Sequence, residues 1–141
     1  MPLPLDGILV VSLEQAVAAP LCARNLADAG ARVIKIERPE GDFAREYDHL
    51  VHGECSYFVW LNRGKDSVVV DLATPDGRKA MEELIATADV LLQNLKPGSM
   101  DKLGFTRERL RKDYPRLICC TITGYGDTGP YAHRKAYDLL I

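Results

Sequence analysis

The residues best placed to do chemistry begin in the stretch 31–42, Ala-Arg-Val-Ile-Lys-Ile-Glu-Arg-Pro-Glu-Gly-Asp. Val33 to Glu37 reads as a buried strand, which a charged pair, a proline and a glycine then cut off. In an open parallel sheet, ligands bind just beyond the carboxyl ends of the strands. Arg38 therefore stands where a guanidinium can grip a phosphate. Two further stretches end in a similar way: Asp71-Leu72 closes one apolar run, and Asn94-Leu95-Lys96 follows another. Lys96 adds a cation, Asn94 supplies both a donor and an acceptor, and Gly98 eases the backbone beside them. Together these residues outline a site for a phosphate-bearing ligand along one sheet edge. Taken singly, each basic residue reads first as a solvated side chain.

Other chemistries find less support. His49 and His52 are three residues apart, but no third ligand is spaced to complete a metal site, so none is expected. There is no G-x-S-x-G, and no serine has a neighbouring histidine to suggest an acyl hydrolase. Cys22 lies near a helix start, where a thiol pKa can fall; the plainer reading is a buried helix cysteine. None of Cys22, Cys55, Cys119 and Cys120 forms a C-x-x-C pair. Cys119 and Cys120 are expected to point to opposite faces of a strand as small buried apolar residues. A reduced, cytoplasmic setting suits all four.

The elements that must position these residues alternate between strand and helix. Residues 8–13 form a continuous apolar run, the pattern of a strand covered on both faces. Residues 18–29 have helical spacing, with Pro20 in the first turn and Gly30 just past the end. Residues 32–36 are the second strand, completing a β-α-β unit. The unit resembles a Rossmann fold but has no G-x-G-x-x-G, so a dinucleotide is disfavoured. Residues 39–56 are expected to be a long, functional loop, followed by a short apolar piece at 57–61. A third strand is expected at 67–72. A helix capped by Thr74 or Asp76 follows through Thr87, with Ala80, Leu84 and Ile85 on its apolar face. Strand four covers 88–94, a short helix 99–103, and a helix opened by Thr106 leads to strand five at 117–122. Residues 124–130 are a glycine-rich loop, and residues 133–141 are expected to begin another helix. The sequence stops inside that apolar stretch without cap or polar tail, which reads as a chain cut short.

The fold class that results is α/β: a Rossmann-like open parallel sheet flanked by helices, forming one domain over 1–141. A length of 141 residues with 47% hydrophobic and 27% charged residues suits a single globular domain. The net charge of −2 is not that of a nucleic-acid binder. No apolar run reaches the roughly 18 residues of a membrane span, and the N-terminus lacks the basic region of a signal peptide.

Longer signatures extend the reading. Pro4-Leu5-Asp6-Gly7-Ile8, Val33 to Pro39 with Gly41-Asp42, and Asn62 with Lys65 and Ser67 occur in that order. Asp71 with Thr74-Pro75-Asp76-Gly77, Ala88-Asp89-Val90 with Asn94 and Pro97-Gly98, and Leu103-Gly104-Phe105 follow. Tyr114-Pro115-Arg116-Leu117-Ile118 and Gly124 to Tyr131 complete the set. The whole resembles the N-terminal part of the family III CoA-transferases, which move coenzyme A (CoA) from an acyl-CoA to a carboxylic acid and include the 2-methylacyl-CoA racemases. The resemblance implies the large Rossmann-like domain of an interlocked homodimer, with acyl-CoA as substrate and no prosthetic group.

It also implies a set of CoA contacts. Val17 and Ala18 lie against the CoA, and Arg38 holds the nucleotide phosphates. Val70, Asp71, Leu72 and Ala73 line the adenine end, while Asn94, Leu95 and Lys96 border the pantetheine. Lys102 takes a position that is often arginine and serves a phosphate as a point charge. Lys135, Ala136, Tyr137 and Asp138 approach the thioester. The nucleophilic aspartate of the family falls downstream of Ile141, so no catalytic residue is expected in these residues, and alone they are expected to complete no catalytic cycle. The racemases carry a histidine base just before the position of Asp138. Tyr137 is too weak a base there at neutral pH, which favours transfer, while the nearby His133 keeps racemisation open. A nucleotide-binding module without chemistry is the third reading.

Overall fold

Five strands pair in parallel: β1 (Leu9–Leu13), β2 (Arg32–Glu37), β3 (Lys65–Val69), β4 (Val90–Gln93) and β5 (Ile118–Thr121). Their spatial order is β3-β2-β1-β4-β5. The computed structural model describes residues 1–136. Tyr137, Asp138 and most of the helix expected at 133–141 lie outside the described residues, and residues 133–136 are turn and irregular chain.

Helices connect the strands as the alternation requires. They are α1 (Ala18–Asp28), α2 (Ser56–Asn62), α3 (Pro75–Thr87), α4 (Ser99–Lys102) and α5 (Arg107–Asp113). Successive strand residues face opposite sides of the sheet. Val10, Val33 and Leu92 accordingly join Ala23 and Ala31 in one core, beneath α1. Val11, Ile34 and Leu91 join Met81, Ile85, Phe105 and Leu110 in the other, beneath α3 and α5. Coverage of both faces explains why the central strands are mostly apolar, with Lys35 the charged residue inside β2. Gly30 ends α1 with a φ of 104°, which glycine adopts freely.

Several expectations are corrected. The third strand runs over Lys65–Val69 and not 67–72, because β2 ends at Glu37 and its register leaves Val69 as the last ladder partner. Val70 to Leu72 are thus freed to form the loop beyond the strand. The apolar piece after residue 56 is the helix α2. The long loop holds a 3-10 helix at Phe43–Glu46, capped by the side chain of Asp42. In α3, Gly77, Met81 and Ile85 are the buried residues, and Ala80 and Leu84 are only half-buried. Cys119 is exposed and Cys120 half-buried, since among the described residues β4 is the one strand neighbour of β5. No helix among the described residues is long and apolar enough to cross a membrane.

Candidate ligand site at the strand ends

The strand order reverses at β1, with β2 on one side and β4 on the other, and the carboxyl ends of such strands border the natural ligand crevice. A crease of about 210 Å³ opens there. Leu13, Glu14 and Gln15 line it from β1, Ile36 and Arg38 from β2, Val70 to Ala73 from the loop after β3, and Leu95 and Leu103 from beyond β4. Its volume falls short of the roughly 300–1,000 Å³ of pockets that enclose a whole drug-sized ligand. It is a largely apolar shelf with a cation, Arg38, among its lining residues.

The structure brings part of the expected set to this crease. Arg38, Val70, Asp71, Leu72, Ala73 and Leu95 line it together. Arg38 is exposed, with Nε donating to the Gly41 carbonyl at 3.0 Å and Glu40 3.8 Å away. Asp71 accepts from the Ala73 amide at 2.9 Å, which folds the loop beneath the shelf. Asn94 is turned to another use. Its Oδ1 accepts from the Gln15 amide at 2.9 Å and its Nδ2 donates to the Gln15 carbonyl at 2.8 Å, so the side chain fastens the β1–α1 loop.

The remaining expected residues among those described are not part of the crease lining. Val17 is half-buried as the N-cap of α1, and Ala18 is exposed at the first turn. Lys96 borders a larger cleft of about 900 Å³ between α5, β5 and the glycine-rich loop. Lys102 and Lys135 are exposed, and Ala136 packs close to Gly124. Cys22 is half-buried; burial pushes its thiol up, with Cys120 and Glu14 adding and Lys65 opposing, so it is no activated nucleophile. Burial likewise pushes the Cys119 thiol up, against the opposing charge of Arg107.

Sequence reasoning missed the polar network beneath the crease. Lys35 and Asp42, each with a 1% exposed side chain, pair at 2.7 Å. Asn62 Oδ1 accepts from Lys35 at 3.0 Å and from Lys65 at 3.1 Å. Lys65 also bonds Glu14 and donates to the Pro20 carbonyl at 2.9 Å. The Ser12 hydroxyl donates to the second oxygen of Glu14 at 2.6 Å. Burial pushes the Lys65 ammonium down, opposed by the Glu14 carboxylate. Glu37 accepts two bonds from Arg45, at 3.2 and 2.8 Å, and one from Ser67 at 2.6 Å. Burial pushes its carboxyl up, but the bonds from Arg45 and Ser67 and the charge of Lys35 outweigh that and hold it below the ordinary range. Removing one partner of such a buried pair costs about 3–5 kcal/mol, whereas replacing both with apolar residues is often neutral. The network's worth therefore lies more in fixing loops than in net stability.

Sheet order and crease define an α/β protein of the Rossmann-like class with a crease at the switch point and no glycine fingerprint. Comparison narrows the class. Residues 5–141 match the model of CoA-transferase family III, and the chain belongs to that family. It is 45% identical over 139 residues to the acetyl-CoA:oxalate CoA-transferase of Acetobacter aceti, covering 98% of this chain and 36% of that protein. It is 41% identical over 139 residues to the succinyl-CoA:glutarate CoA-transferase of Mus musculus, covering 97% of this chain and 32% of that protein. The crystal structure of a CAIB/BAIF family protein from Brucella suis superposes with a TM-score of 0.91 at 43% identity, covering 99% of this chain and 38% of that one. The chain thus spans about a third of the length of the relatives it matches.

Proposed function

We propose that this chain is the CoA-holding part of an enzyme that transfers coenzyme A between an acyl-CoA thioester and a carboxylic acid. The observation that carries the proposal is the convergence of Arg38 with the Val70–Ala73 shelf in one crease at the switch point. Family membership supports CoA as the ligand, and the relatives it resembles are named for transfer of CoA from acetyl-CoA to oxalate and from succinyl-CoA to glutarate. In this reading the adenine lies on Val70 to Ala73 and Arg38 takes the nucleotide phosphates. The pantetheine runs past Leu95 toward Lys96, with Val17 and Ala18 on its other side. Lys102 serves a phosphate, and Lys135, Ala136, Tyr137 and Asp138 approach the thioester. No nucleophile is assigned among the 141 residues. A cytoplasmic, interlocked homodimer is the setting proposed for the whole protein.

Calorimetric titration of CoA into the whole protein and its Arg38→Ala variant tests this. A hydrogen bond to a charged group contributes about 1.5–3 kcal/mol, less at an exposed site. The expected loss in affinity is therefore roughly 5- to 30-fold. Equal affinity in the two proteins, or no binding by either, contradicts the reading.

A further inference from the structure

The wall of the crease formed by Glu14 and Gln15 continues into an unusual residue. Ala16 has a φ of 62°, in the left-handed region that residues with a Cβ disfavour. Something must hold it there. Its amide donates to Asp42 Oδ1 at 3.2 Å, and that oxygen also accepts from the Ala44 amide at 3.0 Å. Asp42 Oδ2 receives Lys35 Nζ at 2.7 Å, and the Asp42 amide donates to Glu37 Oε2 at 3.1 Å. Every side of this carboxylate is engaged, and it is almost wholly buried. Asn94 grips Gln15, the residue before, through both polar atoms of its amide. The loop is thus held from the β2 side and from the β4 side at consecutive residues.

We propose that Asp42 is a positioning residue for the ligand crease. Its carboxylate, oriented by Lys35 while Glu37 holds its backbone amide, keeps Ala16 in the left-handed conformation, so that Gln15 forms the crease wall and Val17 opens α1 beside it. The identity of the ligand rests on the CoA reading; the clamp itself does not.

Two substitutions separate positioning from plain stability. Asp42→Asn keeps an oxygen for the Ala16 and Ala44 amides but gives up the charge that Lys35 faces. Asp42→Ala gives up both. In the whole protein, both are expected to lower the melting temperature. Asp42→Ala is expected to weaken CoA binding by about tenfold or more, while Asp42→Asn stays within about threefold of wild type. Without ligand, amide exchange at Gln15 to Val17 should speed up in Asp42→Ala and not in Asp42→Asn. Ala16→Gly added to Asp42→Ala should recover most of the lost affinity, because glycine takes the left-handed region without penalty. Equal weakening by both Asp42 variants, unchanged exchange in Asp42→Ala, or no rescue by glycine overturns the proposal. Should Asp42→Ala not fold, Ala16→Val strains the same position with the ion pair intact, and faster exchange with weaker CoA binding is again expected; wild-type behaviour overturns the clamp. Wild-type protein that binds no CoA would sink the functional reading, and the ligand-free exchange contrast would still decide the clamp.

Discussion

Lys35 occupies the middle of a central strand, between Ile34 and Ile36, with 1% of its side chain exposed. Asp42 and Asn62, 7 and 27 residues further on, bring oxygens to its Nζ, and the Phe58 ring lies 4.9 Å away. Neither partner can be chosen from the sequence, since only the packed β2–β3 crossover sets them side by side. Arg38 was legible because a strand end followed by proline and glycine needs no tertiary partner to be recognised. Glu37, read beside it as a charged strand end, is a buried acceptor instead, and this predicts an acid limb. Its folded pKa lies below the ordinary 4.5, so its contribution to stability is complete above that value and is lost as pH falls through the folded pKa. Glu37→Gln should flatten the fall in urea-unfolding stability below pH 4.5; identical slopes in variant and wild type would show that Glu37 gains nothing from Arg45 and Ser67.

At the scale of elements, α3 shows how local rules fix the crease. Thr74 caps it by accepting from the Gly77 amide at 3.0 Å, and Pro75 opens its first turn. Gly77 is needed for a different reason. A Cβ there would sit 1.9 Å from the Asp71 carbonyl oxygen, so the helix start lies directly against the loop that floors the site. Gly77→Ala is expected to cost about 1–3 kcal/mol through overpacking and to weaken CoA binding several-fold by displacing Asp71. Unfolding curves and calorimetry check both, and an unchanged Kd would mean that shelf and helix move independently. The cap, the early proline and the β-α alternation were all readable, because each is written in adjacent residues. The shifted span of β3 was not, because strand pairing with β2 decides where the ladder ends. Nor was the helical state of α2, whose five apolar residues fit both periodicities.

Seen whole, the molecule is a doubly wound sheet with its inner strands buried and its outer ones open. Val69 and Ile118, on the two edge strands, are 64% and 63% exposed. The crease stands over the best-buried part, where β2, β1 and β4 meet and the Ala16–Asp42 and Gln15–Asn94 contacts tie together the chain segments that follow these three strands. The sequence resemblance anticipated the fold class and the family, and Arg38 and Val70 to Ala73 line one crease. Two of the basic residues expected to complete the site do not line the crease: Lys96 borders the larger cleft and Lys102 is exposed. The most direct test is a crystal structure of the whole protein with CoA bound. The account predicts the adenine on Val70 to Ala73 with a phosphate oxygen within hydrogen-bonding distance of Arg38. CoA bound in the cleft between α5 and β5, with the switch-point crease empty, would contradict it.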